Sequence, residues 1–127
     1  MTKLSAEKEA IKAVNTYIKG LNDKDPEKLA NSLHFPHIRS MKDGTFFEWH
    51  SPEEYMEAFK TRLKSSGWDH TKLINTSTEK LSASKVHVSI EFGRYTKSGA
   101  LIDNYKSLYV VINEQGYWGI KFGSGTG

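Results

Sequence analysis

Cysteine is absent from the 127 residues, which excludes a disulfide framework and thiolate chemistry and removes any redox clue to the compartment. Proline occurs three times, at 26, 36 and 52, so each one marks a boundary. No stretch is long and apolar enough to cross a bilayer. Met1 to Ala10 is charged and lacks the apolar run of a signal peptide, so the expectation is a soluble, cytoplasmic protein with no membrane partner. Charge of one sign is also scarce: 18 basic residues face 15 acidic ones, a net of +3, and the signs are interspersed. The alternation Lys60, Arg62, Lys64 reads as a solvated helix face and not as a phosphate track, which argues against nucleic acid. Neither a glycine-rich phosphate loop nor a metal cluster is present, so no cofactor is expected. A chain of this length makes one domain with room for one good core.

The stretch that organises the rest is Lys85 to Gly123. Thr96-Lys97-Ser98-Gly99-Ala100 and Asn113-Glu114-Gln115-Gly116-Tyr117 each place glycine third in a three-residue hairpin loop, where a left-handed residue is wanted. That register sets Val88 opposite Leu108, Val86 opposite Val110, Ile112 opposite Trp118 and Val110 opposite Ile120. Val86, Val88, Ile90, Phe92, Leu108, Val110, Ile112, Trp118, Ile120 and Phe122 then share one apolar face. His87, Tyr105, Tyr109 and Val111 fall on the other, a surface aromatic enough to predict a homodimer interface. A shift by one residue would pair Glu91 with Lys106 and Arg94 with Asp103 but scatter the apolar set, so the first register is preferred.

Upstream, Ala10, Ile11, Val14, Tyr17, Ile18 and Leu21 recur at helical spacing and predict an amphipathic helix from Ser5 to about Asn22. Asp25-Pro26-Glu27 starts a short second helix with a capping carboxylate and a proline in the first turn; Pro36 is expected to end it. His37 to Met41 and Thr45 to Trp49 form a hairpin around Asp43-Gly44, with Arg39 facing Glu48 on its polar side in a two-residue loop; a three-residue loop is also open. Ser51-Pro52-Glu53-Glu54 is a capping box, followed by a helix with Tyr55, Met56, Phe59 and Leu63 on its stripe and Ser66-Gly67 at its end. Trp68 to Leu81 reads as a long strand. Residues 5–123 form the ordered core, and 124–127, rich in glycine, are expected to be a flexible tail.

Two helices, a hairpin, a third helix and long antiparallel strands make an α+β domain, a curved sheet with three helices on its concave face. In this element order, and in the run from Tyr17-Ile18 to Asp25-Pro26-Glu27, the chain resembles the nuclear transport factor 2-like superfamily, which includes steroid isomerases and SnoaL-like cyclases. The resemblance covers about Ser5 to Gly123. It implies a cone-shaped pocket for a small, mostly apolar molecule, lyase, isomerase or cyclase chemistry, and a dimer through the convex side. The isomerases use a helix tyrosine, a carboxylate base and a strand aspartate. Tyr17 matches the first, but Ser40 or Met41 and Leu108 stand at the other two positions, so that chemistry is not implied.

The remaining candidates are Tyr17 as hydrogen-bond donor and His34, at the end of the second helix, as base. For ligand contacts the candidates are His37, Trp49, Tyr55, Phe59, Phe92, Arg94, Asn104 and Trp118. No metal is expected, because Pro36 breaks the spacing of His34 and His37. The alternative is a non-catalytic homodimeric binding or interaction module.

Overall fold

The computed structural model describes residues 4–127. Helix α1 (Ala6–Asp23) begins at Ser5, whose side chain accepts from the Lys8 amide, and ends at Lys24 in the left-handed conformation. Helix α2 (Pro26–Ser32) is capped by Asp25 and α3 (Pro52–Leu63) by Ser51, each with proline in its first turn. The sheet order is β2-β1-β6-β5-β4-β3, with β1 Leu33–Ser40, β2 Phe46–Trp49, β3 His70–Ser82, β4 Lys85–Tyr95, β5 Leu101–Glu114 and β6 Tyr117–Gly125. Only β1 and β6 pair in parallel. The helices cover one side of this sheet, and the core lies between them. Asn22 ties the end of α1 to β3, donating to the Thr71 carbonyl and accepting from the Thr71 amide at 2.8 and 2.7 Å.

Three differences from the expected strands decide what faces the helices. Helix α2 stops at Ser32, four residues before Pro36, because the Ser32 hydroxyl bonds back to the Lys28 and Leu29 carbonyls and the chain turns extended at Leu33. His34 therefore lies in β1 and not at a helix end. The hairpin after it takes the three-residue loop, with Gly44 at φ +88° and the Met41 amide bonded to the Thr45 carbonyl. His37 then pairs with Trp49 and Arg39 with Phe47, which turns His37 and Arg39 inward.

The third difference is in β5. The Lys97-Ser98-Gly99 loop forms as expected, with Gly99 at φ +91°, but one extra residue, Ile102, bulges out before the strand settles. Glu91 then faces Lys106 and Arg94 faces Asp103, the register first set aside. The bulge reverses β5: Tyr105, Ser107, Tyr109 and Val111 point to the helices, and Leu108, Val110 and Ile112 point away. At the next turn Gln115 and Gly116 both have positive φ (56° and 84°), a two-residue turn, which restores Trp118 and Ile120 to the inner side. A second bulge at Lys121 sends Phe122 outward and Gly123 inward. Of the ten residues expected on the apolar face, six stay and Leu108, Val110, Ile112 and Phe122 leave it.

Nor does pairing stop at Gly123. Strand β6 continues to Gly125 opposite Ser107, and the Thr126 amide bonds to the Lys106 carbonyl at 2.9 Å. No helix is long and apolar enough to cross a membrane among the described residues.

Candidate functional site

Inside the cone, two rows of side chains run across the sheet. Val86, Val111, Ile120 and Leu33 are successive register partners and are each fully buried. Two residues along β4 and β5, the row is Val88, Tyr109, Gly123, Arg39 and Phe47. Arg39 is 2% exposed. Its side chain crosses over Gly123, where a Cβ would stand 2.9 Å from Nη1, and reaches the Ser107 hydroxyl at 3.0 Å. Glycine is required there by that close approach. The guanidinium also lies 6.0 Å from the Tyr109 ring centre and donates to the Gly127 carbonyl at 3.0 Å.

Two more arginines converge on the same place. Arg94, at the end of β4, is 6% exposed and lies 4.5 Å from the Tyr105 ring centre and 5.5 Å from that of Phe92. Arg62 reaches in from α3 over the Phe59 ring and donates to the Met41 sulfur at 3.8 Å. Arg39, Arg62 and Arg94 line one enclosed pocket of about 10 Å³, walled by Tyr17, Ile18, Leu21, Phe59, Thr71, Phe92 and Tyr109. Among the described residues no Asp or Glu side chain lines it. The Nε atoms of all three arginines are buried without a partner, and none of the three joins an ion pair among the described residues. Burial, and the charge of Arg62 beside it, push the Arg94 guanidinium below its ordinary pKa. A buried charge without a counter-charge is costly. Beyond it, between the β1–β2 loop and α3, lies a vestibule of about 680 Å³, bordered by Met41, Phe47, Arg62 and Gly127.

Tyr17 and Tyr55 meet hydroxyl to hydroxyl, buried between α1 and α3. Burial raises both pKa values, so both stay protonated, and whichever donates, the other's hydrogen remains free. His37 packs edge-on against Tyr55 and stacked over Trp49, and its neutral ring donates from Nδ1 to the Ile120 carbonyl at 3.2 Å. Burial foremost, with the Arg39 charge, depresses its pKa to about 4.

The expected sites divide accordingly. Tyr17, Phe59, Phe92 and Arg94 come together at the pocket, with His37, Trp49 and Tyr55 packed behind them. His34 is not with Tyr17. It sits on the outer side of the sheet, stacked 4.1 Å from the Tyr117 ring centre and bonded to the Ile112 and Tyr117 carbonyls, because it follows inward-facing Leu33 in an extended strand. Asn104 is exposed on the outer side, moved there by the bulge in β5. Trp118 packs at the start of α1, beside Ala6 and Ala13, and does not reach the arginines. Arg39 and Arg62 were both taken for surface residues; the three-residue spacing ending at Gly44 was the signal that would have turned Arg39 inward. Among the described residues no three His, Asp or Glu side chains gather as metal ligands.

Residues 8–122 match the family model described as NTF2-like protein (DUF6841). In fold, the chain is similar to a protein of unknown function with a cystatin-like fold from Nostoc punctiforme (TM-score 0.76, 14% identity, 98% of this chain and 94% of that one). It is similar also to an NTF-2 like protein of unknown function from Shewanella oneidensis (TM-score 0.73, 11% identity, 95% and 98%). A third likeness is to the hexachlorocyclohexane dehydrochlorinase LinA-type3 from Novosphingobium barchaimii (TM-score 0.69, 15% identity, 94% and 85%). At these identities the likeness is one of fold. No curated protein matches the sequence.

Proposed function

The chain belongs to the NTF2-like family DUF6841, and on that premise we propose that its cone binds a small organic acid, a carboxylate head joined to an apolar body. The observation that carries this is the group of Arg39 and Arg94, both buried, and half-buried Arg62, each with a buried, unpartnered Nε, on a pocket that no carboxylate side chain lines among the described residues. A carboxylate meets guanidinium donors in pairs, and such charge-assisted bonds are the strong ones. The free hydrogen of the Tyr17–Tyr55 pair adds a neutral donor from the opposite wall. Phe47 and Met41, in the vestibule, suit the apolar body.

The reading narrows the expected apolar ligand to one with a charged end, and it assigns binding, not a reaction. The expected pair of Tyr17 with a His34 base is not offered again, because His34 lies across the sheet. His37 packs against Tyr55 behind the pocket, and a ring with its pKa near 4 is a weak base at neutral pH. The test is an NMR titration of the protein with benzoate, hexanoate and inorganic phosphate, repeated with Arg94→Met. Saturable shifts of the Arg Nε–H and Tyr109 signals by the carboxylates, lost in Arg94→Met, support the reading. Shifts by phosphate alone, or by none, sink it.

A homodimer through the outer face is the second reading. It now rests on Leu108, Val110, Ile112 and Phe122 in place of Tyr105, Tyr109 and Val111, since Leu108 is 38% exposed on that face. A sedimentation mass that stays monomeric at high concentration would end it.

A further inference from the structure

One donor of the arginine group is already taken by the end of the last strand. After β6, Thr126 is clipped to β5 at both ends of one residue: its amide donates to the Lys106 carbonyl at 2.9 Å and its hydroxyl accepts from the Lys106 amide at 3.1 Å. The clip delivers Gly127 to the mouth of the cone. There its carbonyl takes a hydrogen bond from Arg39 Nη2, and a side chain at Gly127 would begin 2.9 Å from Phe92 and 3.1 Å from Arg94 Nη2. Gly127 also borders the vestibule, so it and Arg62 separate the inner pocket from the larger space outside.

We propose that the segment from Ser124 to Gly127 is a strap that competes with the ligand, the Gly127 oxygen held by Arg39 standing where an oxygen of the carboxylate head would lie. The inference rests on the reading of the cone as an organic-acid site and adds its control. Gly127 offers Arg39 one oxygen and leaves the Nε atoms of all three arginines without a partner. A ligand carboxylate presents two oxygens in one plane, which suits the paired donors of a guanidinium. Release of the strap joins the inner pocket to the vestibule, which gives the ligand's body its room. The sequence suits a segment that must both fit and leave. Gly125 faces Ser107 so closely that a Cβ would collide with the Ser107 hydroxyl and the Lys106 carbonyl, and the residues around it are small.

The test uses that collision. Gly125→Ala should drive the strap off β5 without touching an arginine. Benzoate affinity is measured by calorimetry for the wild-type protein and the variant, while the Gly127 amide is followed by NMR. Tightening of roughly tenfold, the factor expected if the strap is out about a tenth of the time, supports the strap, as does movement of the wild-type Gly127 amide to a free-peptide position on titration. Equal affinity in both proteins, with Gly127 unmoved, overturns the strap and leaves the organic-acid site standing. Absence of binding in both overturns the two together. Should Gly125→Ala fail to fold, Thr126→Ala, which removes only the hydroxyl half of the clip, should tighten benzoate roughly twofold to threefold, and an unchanged value there counts against the strap.

Discussion

The two rows inside the cone, two residues apart on β4 and β5, are built on opposite rules. The row from Val86 to Leu33 is apolar, complete and shut off from water. The row from Val88 to Phe47 contains a buried arginine, a glycine that makes way for it and a tyrosine beneath it. Removing atoms from the first costs stability, because nothing fills the gap. The second holds a buried charge, Arg39, that joins no ion pair among the described residues, a cost that the fold bears. On the proposed reading, stability and recognition fall to neighbouring layers of one sheet.

The largest expected effect is in the apolar row. Ile120→Ala should lower unfolding stability by about 4 kcal/mol, read from a denaturant midpoint at unchanged slope. A loss below about 1 kcal/mol would mean that this layer is not the keystone it looks.

His37 lies between the rows and should give the next effect. Its pKa falls from the ordinary 6.5 to about 4 on folding, so the unfolded chain binds the extra proton in that window. The ring therefore contributes stability that is complete above about pH 6.5 and is lost as the pH falls toward 4, in total on the order of 3 kcal/mol. Stability measured across that window should decline, and His37→Phe should remove this part of the decline.

At Arg94, outside both rows but on the same pocket as Arg39, the sign reverses. Arg94→Met should leave stability unchanged or raise it by about 1 to 2 kcal/mol, since it replaces an unpaired buried charge with an apolar chain, while anion binding disappears. A loss of several kcal/mol would show that Arg94 already has its counter-charge.

The smallest effect is expected on the outer face. Glu91 and Lys106 face each other there, and a double-mutant cycle should find less than about 1 kcal/mol between them.

The same contrast marks what the sequence made legible. The helices were plain, since Ser5, Asp25-Pro26 and Ser51-Pro52 name their starts chemically. So were the inner residues of β4, because Val86, Val88, Ile90 and Phe92 alternate without interruption. The face of β5 was not legible. A single bulged residue, Ile102, exchanges its two sides, and Leu108, Val110 and Ile112 are as apolar as the residues that displaced them. Arg39 was hidden for a related reason: an arginine in a strand looks like surface until the register turns it inward. The site was therefore only half visible, its aromatic wall and Arg94 foreseen, Arg39 and Arg62 not.

One feature of the sheet bears on how the protein comes into being. The first strand, β1, lies between β2 and β6, and Tyr117 on β6 donates to the Leu33 carbonyl across 84 positions of sequence. During synthesis the helices and the β1–β2 hairpin emerge first, but the strand beside which β1 must lie is the last of the six to be made. The early half of the chain has no native neighbour on that side, and the exposed rings of Phe46 and Phe47 wait with it. Closing so long a loop is slow and is rewarded only when closed. Assembly thus belongs to the moments after the ribosome has finished β6, and a holding chaperone would find its target in that hairpin.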